Sequence, residues 1–167
     1  VRGGDYMGNQ KLLKAICQKN VEATLALLEW GALFRKGPDG RLDQGKQAVA
    51  GHTYPRSVQV AGGISHIGKA IMDLLQRQMQ DRGITVLGNT MVTRLLTAGD
   101  AVTGAVSLDW RNGTIQVINA KAVIVATGGT GRLYKYTDNP TYMTGDGYAV
   151  MARAGAVSLG LELLART

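Results

Sequence analysis

Cysteine, proline, histidine and phenylalanine are scarce here: one, three, two and one among 167 residues. A single cysteine excludes an internal disulfide, which suits a reducing compartment. Its setting in KLLKAICQKN, among helix-forming residues, predicts that Cys17 is a small buried hydrophobe and not a reactive thiol. No apolar run approaches the roughly 20 residues needed to span a bilayer. The opening VRGGDYMG has neither the charged start nor the apolar middle of a signal peptide, and it lacks an initiator methionine, as a fragment would. A cytoplasmic location is expected from the absence of targeting signals. His52 and His66 stand alone, without a paired carboxylate or cysteine, so loop or structural roles are expected and no metal site. Arg56, in HTYPRS, could meet an anion.

The formal charge of +7 does not point to nucleic acid, because the lysines and arginines are scattered and no aromatic-basic repeat accompanies them. A solvated surface or a small anionic ligand accounts for them equally well.

An apolar content of 45% and 23 glycines allow one core of ordinary domain size. Residues Gln10 to about Trp30 read as two short helices or one broken helix, stopped at Gly31. Residues 37–63 read as loop with at most a short hairpin. Ala70, Ile71, Leu74, Leu75 and Met79 fall at helical spacing, Gly83 ends that helix, and ITVLG reads as a short buried strand. From about 91 to 119, MVTRLL, AVTGAVSL and TIQVI predict a three-stranded antiparallel meander, its second turn made by Arg111-Asn112-Gly113. AVIVA at 122–126 reads as a central strand covered on both faces, and YAVMARAGA as a close-packed helix.

GISHIGKA, residues 63–70, approaches a nucleotide phosphate loop: Gly63, Gly68 and Lys69 fit, but Ala70 stands where a magnesium-binding hydroxyl belongs. No apolar strand downstream ends in an aspartate that could hold the metal. A glycine-flanked helix start is the better reading, with a triphosphatase using Lys69 as the rival.

A stronger constellation lies at ATGGTGR, 126–132, and TGDG, 144–147. Paired glycines after a strand let the backbone approach a ligand closely, since no Cβ intrudes. An aspartate at a helix entrance can offer an acceptor-only carboxylate to the hydroxyls of a ribose or ribityl chain. Taken singly, Gly128-Gly129 is equally a turn and Asp146 equally a helix cap.

The run VIVATGGTGRLYKYTDNPTYMTGDGYAVMARAGA resembles the FAD-binding domain of the succinate dehydrogenase, fumarate reductase and L-aspartate oxidase flavoprotein family. VRGGDYMGNQ, the loop around HTYPRS and residues 62–96 share the likeness, which therefore covers nearly the whole chain. It implies an α/β fold: a partial FAD-binding Rossmann-like domain, residues 1–167, with the meander inserted. It also implies FAD as cofactor. Asp146 falls on the family's FAD aspartate, with Thr144 and Gly145 beside it; Ala126, Thr127, Gly128 and Gly129 fall on the cofactor turn, and Val92 on a backbone contact to adenine. The partners implied are a dicarboxylate substrate and an electron-transfer subunit.

Departures from the family limit what is expected. No G-x-G-x-x-G turn occurs, so the part of the grip that seats the pyrophosphate is absent. Glu162 matches an acidic strand position, but Thr167 falls where the substrate-contacting histidine would be, and the capping domain with its proton-transfer arginine lies beyond. No catalytic residue is assigned. The chain supplies cofactor surface only, without turnover of its own; a non-catalytic module that keeps the fold without flavin is the alternative.

Overall fold

Helix α1, Gln10–Glu29, runs unbroken because no glycine or proline interrupts it. The expected break does not occur: Asn20 stays helical, and Thr24 Oγ1 donates to its carbonyl at 2.8 Å. Asn9 opens the helix, its Oδ1 accepting from the amides of Lys11 and Leu12 at 3.1 Å each. Gly31 closes it in the left-handed region at φ 100°, where a side chain would be strained. Replacing Asn9 by Ala leaves those amides without their side-chain acceptor and is expected to cost about 1 kcal/mol of stability, read as a lowered urea midpoint. Asn9→Asp should keep the midpoint.

In the computed structural model the described residues are Tyr6, 8–44, 54–55, 57–61 and 67–157. His52, His66, Arg56, Glu162 and Thr167 lie outside them. The chain divides into two units, Val1–Val86 and Leu87–Thr167.

In the first unit Cys17 is exposed, against expectation. It does sit on the apolar stripe of α1, beside Ile16 and Val21 in an open groove of ≈ 820 Å³, but α1 buries none of its side chains. Helical spacing identifies a stripe; it does not supply the surface that covers it. After Gly31, isolated antiparallel bridges pair Phe34 with Val60 and Lys36 with Leu42, beginning ahead of the 37–63 stretch read as loop with at most a short hairpin. Arg35 ties the segment together through Gln59 Oε1 at 2.8 Å and Asp43 Oδ2 at 3.0 Å. Helix α2, Ile67–Asp81, buries Leu74 and stops at Gly83, φ 62°. The Arg82 guanidinium stacks 5.0 Å above the ring of Trp30, joining the ends of the two helices.

The second unit is built on the meander: β1, Thr90–Ala98; β2, Ala101–Asp109; and β3, Thr114–Asn119. The order is β1-β2-β3, all antiparallel, with Val92 opposite Ser107 and Ala105 opposite Ile118. Gly99 and Asp100 make the first turn. The second is a four-residue loop in which Asp109 O accepts from the Gly113 amide at 2.9 Å and Asp109 Oδ1 from the Arg111 amide at 2.9 Å. Of Asn112-Gly113, only the glycine takes a positive φ, 74°. Helix α3, Asp146–Arg153, packs on β1, and Val150 joins Leu95 and Ala105 in the core. Ser107 is fully buried, and its hydroxyl finds no partner among the described residues, a shortfall of about 1–3 kcal/mol for a desolvated polar group.

Two expected strands are not strands. Residues 84–88 and 122–126 pair with no described neighbour. The alternation of the second run survives, because Val123 and Val125 pack against the core while Ile124 is 92% exposed. The run is thus covered on one face, not on two, and a strand needs a ladder partner as well as an extended backbone.

Candidate functional site

Residues 126–129 and 144–147 meet in space. The chain leaves the extended run at Ala126-Thr127, turns at Gly128 with φ 76°, passes through a short 3-10 turn at Gly131–Leu133, and returns at Met143. The Arg132 amide donates to Met143 O at 3.0 Å, which fastens the return. Contact between residues 126–130 and 143–147 is close at three places, each made possible by a missing Cβ. A Cβ on Gly128 would lie 2.9 Å from Met143 Sδ, and one on Gly145 would lie 2.7 Å from the methyl of buried Thr130. A Cβ on Gly147 would overlap Thr127 Oγ1 and lie 2.8 Å from Thr127 Cβ. The glycines of the second corner are therefore needed for packing against the first.

Asp146 is the first residue of α3, not its cap. The cap position is Gly145, φ 79°, and no side chain caps the helix. The aspartate instead accepts on Oδ2 a hydrogen bond from Thr144 Oγ1. Its other oxygen has no partner among the described residues, and the carboxylate is exposed. A negative charge in the first turn of a helix is favoured by the helix dipole, and an ionised carboxylate only accepts hydrogen bonds.

A cleft of ≈ 450 Å³ opens between α3, β1 and the extended run. Five of the residues expected from sequence line it: Val92, Thr127, Thr144, Gly145 and Asp146. Ala126, Gly128 and Gly129 do not; they shape the turn behind it. Tyr142 and Met91 also line the cleft, and sequence reasoning passed over both. Tyr142 lies two residues before Thr144, and only that proximity could have marked it.

Residues 63–66 of the phosphate-loop likeness lie outside the described residues, and Lys69 Nζ pairs with Asp73 Oδ2 one turn along α2, both side chains exposed. Among the described residues no group of three or more His, Cys, Asp or Glu side chains could hold a metal.

Residues 1–165 match the family model described as FAD binding domain. The chain belongs to that family. As an FAD binding domain it is 32% identical over 165 residues to an uncharacterized FAD-dependent oxidoreductase of Methanocaldococcus jannaschii, covering 98% of this chain and 30% of that protein. It is 30% identical over 165 residues to the fumarate reductase flavoprotein subunit of Mycobacterium tuberculosis, covering 98% of this chain and 27% of that protein. Among solved structures, quinol fumarate reductase of E. coli superposes with a TM-score of 0.78 at 27% identity, over 90% of this chain and 25% of that one. The chain thus spans under a third of the length of these relatives. The fold is the expected α/β arrangement, part of an FAD-binding domain with a three-stranded meander.

The cofactor of the family is FAD, and the second unit's residues suit it. The cleft has apolar walls at Val92, Val123 and Val125 and an unclaimed acceptor oxygen on Asp146, the pairing that a flat ring joined to a hydroxylated chain requires. Among the described residues no helix is long and apolar enough to cross a membrane.

Proposed function

We propose that this chain holds part of the FAD in a flavin-dependent oxidoreductase of the succinate dehydrogenase and fumarate reductase type, in which a hydride moves between a dicarboxylate and the cofactor. One observation carries the reading: the first residue of α3 presents a free carboxylate oxygen in the same cleft as Thr127 and Val92. The family match over residues 1–165 supports treating both units as one FAD-binding domain. FAD, when bound, supplies the hydride chemistry; the protein orients it and keeps water out. Asp146 accepts from a sugar-like hydroxyl of the cofactor, and Thr144 holds Asp146 in place. Ala126, Thr127, Gly128 and Gly129 let the backbone come close, while Val92 lies beside the adenine.

A dicarboxylate is the substrate class, an electron-transfer subunit the partner, and the cytoplasm the compartment, with membrane attachment through that partner. The names of the relatives, two of them fumarate reductases, support the substrate class.

The test is FAD affinity in the polypeptide at the full length its reading frame encodes. A hydrogen bond to an ionised carboxylate contributes roughly 1.5–3 kcal/mol, so Asp146→Asn should weaken FAD about 10- to 150-fold in a calorimetric or fluorescence titration. Unchanged affinity would remove Asp146 from the site. A wild-type protein that takes up no flavin would favour a non-catalytic module.

A further inference from the structure

Met143 seats its thioether on the two glycines of the turn at 126–129. A Cβ on Gly128 would meet Met143 Sδ at 2.9 Å and Cε at 3.3 Å, and one on Gly129 would meet Cε at 3.4 Å. The sulfur occupies space that only a bare glycine backbone leaves open. The backbone of Met143 is fastened on both sides: its amide donates to Pro140 O at 3.1 Å, and its carbonyl accepts from the Arg132 amide at 3.0 Å. Thr144, next in the chain, donates to Asp146. One side chain therefore ties the place of the glycine turn to the place of the aspartate. Met143 is half-buried and stands outside the core cluster of Leu95, Ala105 and Val150, so a solute little larger than water has a route to it.

Oxidation turns a slim, apolar thioether into a polar sulfoxide. The added oxygen needs room and a hydrogen-bond donor, and the glycine seat has no room on the side that Gly128 and Gly129 occupy. Relief comes only by pushing residues 126–129 away from 143–147 or by swinging the side chain off the turn. Either way the support that keeps Thr127 and Asp146 in one cleft is lost.

We propose that Met143 is an oxidation site through which hydrogen peroxide loosens the hold on FAD. A lone pair of the sulfur attacks one peroxide oxygen; the S–O bond forms as the O–O bond breaks, and the departing hydroxide takes the proton of the transferred oxygen and leaves as water. The sulfur gives up two electrons and the peroxide gains them. Methionine sulfoxide reductases reverse the change, so the loss of grip is restorable. The proposal rests on the FAD reading above. Crowding of one added atom in a packed site shifts an equilibrium by a factor of roughly 5 to 150.

The experiment uses the flavin-free polypeptide at the full length its reading frame encodes, before and after hydrogen peroxide. A thiol reductant is then added, because it restores oxidised Cys17, which is exposed, and leaves sulfoxide in place. Peptide mass spectrometry follows the added oxygen at residue 143, and fluorescence titration gives the FAD dissociation constant. The treated-to-untreated ratio is taken within each protein, so that a variant's own baseline drops out. Wild type is expected to weaken at least about fivefold and to recover with methionine sulfoxide reductase. Met143→Leu, close in volume, should stay within about twofold. Met91→Leu, which removes the 45%-exposed sulfur in the cleft wall, should weaken as wild type does. The proposal is overturned if residue 143 stays unoxidised once Met91 is converted, if its oxidation leaves affinity unchanged, or if Met143→Leu weakens as wild type does. In all three the FAD reading stands. An untreated wild-type protein that takes up no flavin overturns both.

Discussion

Gly147→Ala is expected to lower the stability of the second unit by about 3 kcal/mol and to weaken FAD at least tenfold. Two effects oppose each other at this position. Alanine is the better helix former by about 1 kcal/mol, and Gly147 lies inside α3. Against that, the added methyl would overlap Thr127 Oγ1 and stand 2.8 and 3.1 Å from Thr127 Cβ and Cγ2. Rotation of the threonine can move Oγ1 away, but Cβ is fixed to the backbone, so α3 must lift from the corner. Val150, buried one turn later on Leu95 and Ala105, resists that movement. The overlap therefore outweighs the propensity. Lifting α3 carries Asp146 away from Thr127, which is why affinity falls together with stability. A second change, Thr127→Ala, removes Oγ1 and Cγ2 but not Cβ, and should restore part of both losses. If Gly147→Ala raised the melting temperature, the close seating of the two corners would be refuted.

Gly104→Ala is the second large loss, also about 3 kcal/mol, and it acts on the sheet instead of the cleft. Gly104 faces Asn119 across β3 and Leu96 across β1, next to a register shift in which Thr103 is left over. A Cβ there would overlap the carbonyl oxygen of Ile118 and lie 3.1 Å from Asn119 Cα. Both obstacles are backbone, and neither can move without breaking the β2–β3 ladder. A urea titration should show the lower midpoint, and hydrogen exchange should show lost protection in β3 before β1. Wild-type protection throughout β3 would exclude the contact.

Elements whose signals are local were legible in the sequence. Gly31 and Gly83 ended helices because a positive φ suits glycine wherever it falls. The meander followed from alternation and turn residues within 30 residues of chain. The close seating of the two corners in the cleft was legible only because several weak signals coincided in one stretch. Features that depend on a distant neighbour were not legible. AVIVA has the composition of a doubly covered strand, but composition does not say whether a ladder partner exists, and Ile124 stands in the open. Cys17 lies on an apolar stripe that no described surface covers. Tyr142 carries no periodic or motif signal, and its place in the lining of the cleft comes from the fold alone.

The walls of the cleft are also the load path of the second unit, since α3 and β1 carry both the core and the lining. Ligand occupancy and resistance to unfolding are therefore linked. A ligand held only by the folded form adds about 2.7 kcal/mol at a free concentration one hundred times its dissociation constant. The melting curve of the meander thus becomes a gauge of how full the cleft is, whatever ligand is titrated in.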